Sequence, residues 1–239
     1  MKKHISVFGL FARCSLHRVA LILCAMYLLC AAALALRLPG LLAKDPPARL
    51  EIQFAKSGVI LILRLAFAAL TGFLCVPGSK AASGYTLARL RVSGGAVFLA
   101  QAAFNMLAYL LLWAAQVCAV IGAGVLFVKL TSPAAGMQAV FLAFYRNTYL
   151  HALLPLQDVL LWFRNLCFLI VMGLAAAEFP LLMRAKRRAF TVLPMAALTV
   201  ILFPQELSHP ISLFIAVGLL IAMVLKVLYD FGTMEAHTV

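Results

Sequence analysis

Four polar side chains interrupt an apolar stretch in the middle of the chain, and their spacing places them together. Gln101, Asn105, Tyr109 and Gln116 are separated by four, four and seven residues, so in a helix they lie on one face. Inside lipid such a face must be buried, because polar groups there need protein partners or a water-filled cavity. Two interpretations follow. We favour hydrogen bonds between membrane-spanning helices, and the alternative is the polar lining of a substrate path.

Two charged residues, Arg64 and Glu178, also fall inside apolar stretches. A charge at that depth is costly unless it is paired or extends to the membrane surface. If both stretches run from outside to inside, the two residues differ in depth by about 15 Å at about 1.5 Å per residue. We therefore predict no direct ion pair. Arg64 would reach the outer headgroups and Glu178 would meet Arg184 or another inner cation, with a transport or gating role as the alternative for either residue.

Motifs for catalysis and for metal binding are missing from the sequence. It contains no GxxxxGK[ST] phosphate loop, no GxSxG nucleophile turn and no HExxH metal site. The six cysteines form no CxxC pair and the five histidines are far apart, so no set of metal ligands is predicted. No carboxylate pair is suited to acid–base catalysis. We predict that the chain is not an enzyme and that it binds neither a cofactor nor a metal.

The composition identifies the environment in which these residues must lie. Of 239 residues, 66% are hydrophobic and 11% are charged, and the mean hydropathy is +1.08. Soluble domains carry about 45–50% apolar and about 25% charged residues, so an ordinary soluble protein, a disordered chain and a disulfide scaffold are excluded. We predict an all-α, polytopic transmembrane helical bundle, with residues 1–239 forming a single integral membrane domain. Because a helix needs about 20 apolar residues to cross the hydrocarbon core, six spans are predicted, over 19–38, 58–77, 96 to at least 118, 160–183, 189–203 and 211–228.

The third predicted span is longer than a membrane requires. Its apolar stretch continues through Gly122 and Gly124 to Val128. A straight helix of that length would rise about 50 Å, which exceeds the thickness of a bilayer. We expect a break near the glycines or a strong tilt, and a helix that projects beyond the membrane is the alternative.

The basic residues set the expected orientation. The formal net charge is +13, and Lys and Arg are more frequent in the segments that lie inside when the N-terminus is inside. We therefore predict that both termini are cytoplasmic, in a multi-pass protein of a cell membrane, specifically a bacterial cytoplasmic membrane. Basic residues at the ends of apolar runs indicate contact with lipid phosphates and not with nucleic acid. A cleaved signal peptide ending at Ala33-Leu34-Ala35 is the alternative to an uncleaved first span.

Segment 129–159 is half apolar and lies outside in this orientation. It contains Arg146 and the helix breaker Pro155. One interpretation is an extracytoplasmic interfacial or re-entrant helix. The other is a solvated loop with ordinary interfacial aromatic residues. In the first case the aromatic anchors are Phe141, Phe144, Tyr145 and Tyr149.

The segment before the third span reads Gly84-Tyr85-Thr86-Leu87-Ala88-Arg89-Leu90-Arg91-Val92-Ser93-Gly94-Gly95. It resembles the loop of ABC-2-type transporter permeases in which an amphipathic stretch ends in a Leu-Pro-Val-Ser-Arg-like turn. Leu90, Val92 and Ser93 match that turn, whereas Arg91 stands where proline is common and Gly94 where a basic residue is common. The layout of six spans with both termini inside is also similar to that family. The longer outer segment differs, because here it lies between spans three and four and in many members it lies between spans five and six.

The resemblance implies a permease-like subunit of an ATP-driven export system. A separate cytoplasmic ATP-binding cassette subunit would dock on the coupling-type loop 79–95, with Tyr85, Arg89, Arg91 and Ser93 as contacts. Two permease subunits, identical or different, would form the pathway within membrane lipid. The alternative is an ordinary inner loop whose cations only set topology. The chain would then be a non-transporting membrane scaffold, assembly factor or immunity-type subunit.

Overall fold

Helices are the main secondary structure in the described part of the protein. The computed structural model describes residues 2–36, 50–75, 93–131, 137–184, 187, 189–204 and 209–236. Within these ranges there is no strand, which agrees with the all-α prediction. The helices are α1 (Lys2–Ala35), α2 (Leu50–Lys56), α3 (Val59–Cys75), α4 (Gly94–Thr131), α5 (Gln138–Arg146), α6 (Thr148–Leu153), α7 (Val159–Arg184), α8 (Val192–Leu202) and α9 (His209–Ala236).

Four helices within the described ranges are long and apolar enough to cross a membrane. They are α1, α4, α7 and α9, within which the apolar stretches cover Val7–Ala35, Gly94–Leu130, Val159–Met183 and Pro210–Thr233. The predicted second and fifth spans also form helices, but α3 has 17 residues and α8 has 11. At about 1.5 Å per residue, α8 rises only about 16 Å, which is about half of a hydrocarbon core. The multi-pass membrane character is therefore supported by four helices, and six crossings remain a prediction.

Helix α4 continues through the position where the sequence suggested a break. It runs for 38 residues, or about 57 Å, from Gly94 to Thr131. The expected break near Gly122 is wrong, because a glycine within a helix costs only about 1 kcal/mol relative to alanine and does not interrupt the backbone hydrogen bonds. Gly124 serves close packing instead, since a Cβ there would lie 3.2 Å from the Val140 side chain and 3.6 Å from Leu50.

Helices α4 and α7 form the centre of the bundle. Helix α7 packs against α3, α4, α8 and α9, and α4 also packs against α1 and α3. Helix α4 approaches α7 closely at Gly173, where a Cβ would overlap the side chain of Met106. Helix α7 is the most enclosed of the four long helices, and α1 and α9 expose most of their apolar surface. Such exposed apolar faces suit contact with lipid.

The segment between α4 and α7 contains a pair of short packed helices, and a solvated loop does not describe it. Asn147 separates α5 from α6, and its side-chain oxygen accepts hydrogen bonds from the Tyr149 and Leu150 amides. Phe144 and Tyr149 are buried, so these two predicted anchors pack within the protein. Phe141 and Tyr145 are exposed, which leaves them available to a membrane interface.

Candidate functional site

Three of the four polar residues on α4 form hydrogen bonds to neighbouring helices. The Asn105 side chain donates to the carbonyl of Gly173 on α7 at 3.5 Å. The Tyr109 hydroxyl donates to Thr71 Oγ1 on α3 at 2.9 Å. The Gln116 amide donates to the carbonyl of Leu63, also on α3, at 3.0 Å. All three residues are buried, as expected of polar groups that join helices in lipid.

The fourth member of this face, Gln101, is half-buried near the start of α4. It lies on the same helical face but not in the enclosed part of the bundle. The hydrogen bonds of the other three explain why this face is polar. Tyr109 and Gln116 also line a cavity inside the bundle.

Glu178 is paired with a cation, as the sequence suggested, although the partner is Lys226 on α9. The Lys226 ammonium lies 2.6 Å from Glu178 Oε1 and 2.7 Å from Asp230 Oδ2. Glu178 is 1% exposed, and its second oxygen has no hydrogen-bond partner among the described residues. Arg187 adds a cation to this end of the bundle and donates to Thr233 Oγ1 at 2.6 Å. We refer to Glu178, Lys226 and Asp230 as the ionic cluster.

A cavity lies between α3, α4, α6, α7 and α8. Its volume is about 90 Å³, several times what one water molecule requires, and the cavity is partly open. Its walls are mostly apolar, and none of the described residues that line it is acidic. Phe67, Leu112, Phe168, Leu169, Met172 and Val200 are among its apolar lining residues.

Arg64 is the cation in the wall of this cavity. Its guanidinium carbon lies 5.3 Å from the centre of the Tyr149 ring, a distance typical of a cation–π contact. Its Nε is buried and has no hydrogen-bond partner among the described residues. The guanidinium thus contacts the aromatic face of Tyr149 beside the cavity, and its extension to the outer headgroups stays a prediction.

Tyr149 remains a neutral phenol beside Arg64. Burial raises the pKa of Tyr149 above its usual value, and the Arg64 charge acts in the opposite direction but does not cancel this effect. The hydroxyl therefore stays protonated at physiological pH. Arg64 is therefore in contact with an uncharged aromatic ring and not with a negative charge.

Arg164 is a buried arginine that was not among the predicted site residues. It lies in the second turn of α7 and is 1% exposed. Its guanidinium donates to Asn165 Oδ1 at 3.1 and 3.3 Å and to the Phe203 carbonyl at 3.2 Å. The rings of Phe168 and Phe203 lie 5.8 and 5.7 Å from it. The adjacent pair Arg164-Asn165 within an apolar run was the available signal, because such a pair is costly on a lipid-facing surface.

The two tryptophans donate hydrogen bonds to the end of α6 and to the residues that follow it. Trp113 lines the cavity and donates its indole N–H to the Leu153 carbonyl at 2.8 Å. Trp162 donates to the Pro155 carbonyl at 2.7 Å. The two indole rings are 5.3 Å apart, so α4, α6 and α7 meet at this point.

The predicted ATPase contacts lie mostly outside the described residues. Tyr85, Arg89 and Arg91 belong to that part of the chain, and Ser93 is the first described residue before α4. The Ser93 hydroxyl accepts a hydrogen bond from the Ala96 amide at 3.4 Å, so Ser93 caps the helix. The loop and α4 therefore meet at a capped helix start.

The described residues include no group of three or more His, Cys, Asp or Glu side chains placed to hold a metal ion.

The chain matches no protein-family model, no curated protein and no solved structure. The likeness to ABC-2-type permeases thus depends on the sequence pattern and layout alone, and the function has to be argued from the helices and the cavity.

Proposed function

We propose that this chain is the membrane-embedded, permease-like subunit of an ATP-driven, ABC-2-type export system that works with a separate cytoplasmic ATPase. The observation that carries the proposal is the unbroken helix α4. It begins at Gly94, at the end of the coupling-type loop 79–95, and four residues in its middle line the cavity, namely Tyr109, Leu112, Trp113 and Gln116. Its far end contacts α5. One rigid element thus links the docking loop to the cavity wall.

The proposed topology has six crossings with both termini in the cytoplasm of a bacterial cell. Loop 79–95 is then inside and segment 129–159 is outside. Helix α3, with 17 residues, rises about 25 Å and comes close to the thickness of a hydrocarbon core. Helix α8 crosses only if the turn that follows it, at residues 203–204, and locally thinned lipid complete its path. The partners in this proposal are membrane lipid, the ATPase and a second permease subunit, identical or different.

The proposed mechanism is a tilt of α4. A force applied at Ser93 reaches the cavity because no proline or loop interrupts the helix between them. Four side chains of the cavity wall, that of Leu112 included, move with α4, while the opposite wall belongs to α7 and α8. A change in the angle between α4 and α7 therefore changes the width of the cavity, which is how a small shift at one end can open or close a site. ATP hydrolysis takes place in the separate subunit.

The test is purification of the full chain from its native membranes in mild detergent. We expect an ATP-binding cassette subunit, identified by mass spectrometry, to accompany the wild-type chain. The double variant Arg89→Glu/Arg91→Glu reverses the charge of the proposed contact and should lose the ATPase. The matched control, Lys56→Glu/Lys129→Glu, reverses two exposed cations in α2 and near the far end of α4 and should retain it. Equal recovery of the ATPase with both double variants would disprove the coupling-loop assignment.

A second candidate function is a non-transporting scaffold, assembly or immunity-type subunit. The hydrogen bonds of Asn105 and Gln116 to the backbones of α7 and α3 favour it, because they hold α4 against both neighbours. Such fixed contacts suit a static bundle. This candidate predicts that no ATPase accompanies the wild-type chain, so the same purification distinguishes the two functions.

A further inference from the structure

The cavity combines an apolar wall with one cation that lacks a full set of partners. Arg64 Nε is buried and unpartnered among the described residues, and no lining residue is acidic. A guanidinium in an apolar site loses the solvation of its charge and regains stability when an anion is bound beside it. The face of the guanidinium is covered by Tyr149, so its N–H groups lie at the edge, where a planar anion meets them.

The number of charges available limits the anion to a single negative charge. Arg164, the other buried arginine nearby, is engaged by Asn165 and by the Phe203 carbonyl and does not line the cavity. The remaining polar lining residues are neutral, and hydrogen bonds within the protein are formed by Tyr109, Trp113, Gln116, Asn165 and Thr199. One free guanidinium balances one negative charge.

The apolar part of the cavity offers no polar binding groups to a small inorganic anion. A free phosphate needs hydrogen-bond donors on several sides, whereas most of the cavity wall is aliphatic or aromatic. Filling it removes apolar surface from water, which stabilises binding in proportion to the area covered. The cavity is also partly open, so an apolar chain longer than the cavity can extend beyond it.

We propose that the cavity binds a monoanionic amphiphile, with Arg64 paired to its carboxylate or phosphodiester head and the apolar walls covering the first part of its hydrocarbon chain. This binding needs no ATPase and no movement of α4. It therefore stands independently of the proposed export function. If the chain is part of an export system, this amphiphile is the cargo of that system.

The position of the tryptophans allows a direct binding assay. The chain has two tryptophans, of which Trp113 lines the cavity and Trp162 stacks beside it. A nitroxide on the chain of a bound stearate quenches their fluorescence at short range. The full chain, purified in non-ionic detergent, is titrated with doxyl-labelled stearate at a pH at which its carboxyl group is ionised. The matched neutral probe is the methyl ester of the same molecule.

We expect saturable quenching by the stearate and an apparent affinity at least about ten-fold weaker for the ester, a difference of about 1.4 kcal/mol. Arg64→Gln should weaken stearate binding by the same factor, and Arg64→Lys should retain part of it because the charge stays. Lys56→Gln removes an exposed cation outside the cavity and should bind as the wild type does. Where Arg64→Gln fails to fold, Val200→Phe, which fills the cavity and keeps the arginine, should weaken binding instead.

Three results would overturn the proposal. The first is equal saturable quenching by the stearate and by its ester, which would show that the site does not select charge. The second is quenching by the stearate that never saturates, which would show that the probe only dissolves in the micelle. The third is displacement of the labelled stearate by inorganic phosphate as effectively as by unlabelled stearate, which would assign the site to a free anion.

Discussion

Lys226 holds two carboxylates at once, so its removal provides a sharp test of how the bundle is held together. Lys226→Met keeps the length and most of the volume of the side chain but removes the ammonium that contacts Glu178 and Asp230 at 2.6 and 2.7 Å. Glu178, at 1% exposure, is then a buried carboxylate without its cation. Breaking a fully buried pair in this way costs about 3–5 kcal/mol. Because the Lys226 side chain is 35% exposed and partly screened by water, we expect about 2–3 kcal/mol.

The assay is thermal unfolding of the detergent-purified chain. A loss of about 2–3 kcal/mol corresponds to a fall in Tm of about 4–12 °C for a chain of this length. The double variant Lys226→Met/Glu178→Gln removes the stranded charge as well and should recover to within about 1 kcal/mol of the wild type. Lys129→Met, a change at an exposed position on α4, should stay within about 0.5 kcal/mol. The reasoning is refuted if the double variant is no more stable than Lys226→Met.

Three further changes probe the packing, each measured by thermal unfolding. Gly173→Ala should lower the free energy of unfolding by about 1–2 kcal/mol, because overlap with the facing methionine outweighs the gain in helix propensity. Gly122→Ala is its control, since a Cβ there meets nothing within 4 Å, and a loss equal to that of Gly173→Ala would contradict the packing. Asn147→Ala should cost about 0.5–2 kcal/mol through loss of the helix cap, whereas Asn147→Asp should retain it. Gln116→Leu should cost about 0.5–1.5 kcal/mol by removing the bond to the Leu63 carbonyl, and an unchanged Tm would show that this bond contributes nothing.

The polar face of α4 was predictable because its signal is local. A spacing of four and seven residues places Asn105, Tyr109 and Gln116 on one side of a helix whatever the helix packs against. The continuity of α4 was not predictable, since the role of Gly124 depends on Val140 and Leu50, which come from other parts of the chain. Local spacing thus identifies a helical face, and packing decides what the face contacts.

Residues from five helices line the cavity, so no single helix carries a sequence pattern that predicts it. The contact of Arg64 with the ring of Tyr149, 85 positions further along the chain, cannot be seen from the sequence around either residue. Arg164 falls inside the fourth predicted span, and only the carbonyl of Phe203 and the rings around it explain its burial there. An inner cation was expected beside Glu178, and packing selects Lys226, which lies on another helix.

The most direct test of the account is the sidedness of the two ends of α4. In a background with the six native cysteines replaced, single cysteines are placed by Tyr85→Cys in the coupling-type loop and by Tyr145→Cys on α5, where the native side chain is 66% exposed. Intact cells are treated with a membrane-impermeant maleimide. The account predicts labelling at position 145 in intact cells and at position 85 only after permeabilisation. Labelling at position 85 in intact cells would contradict it, because the proposed ATPase contact would then lie outside the cell.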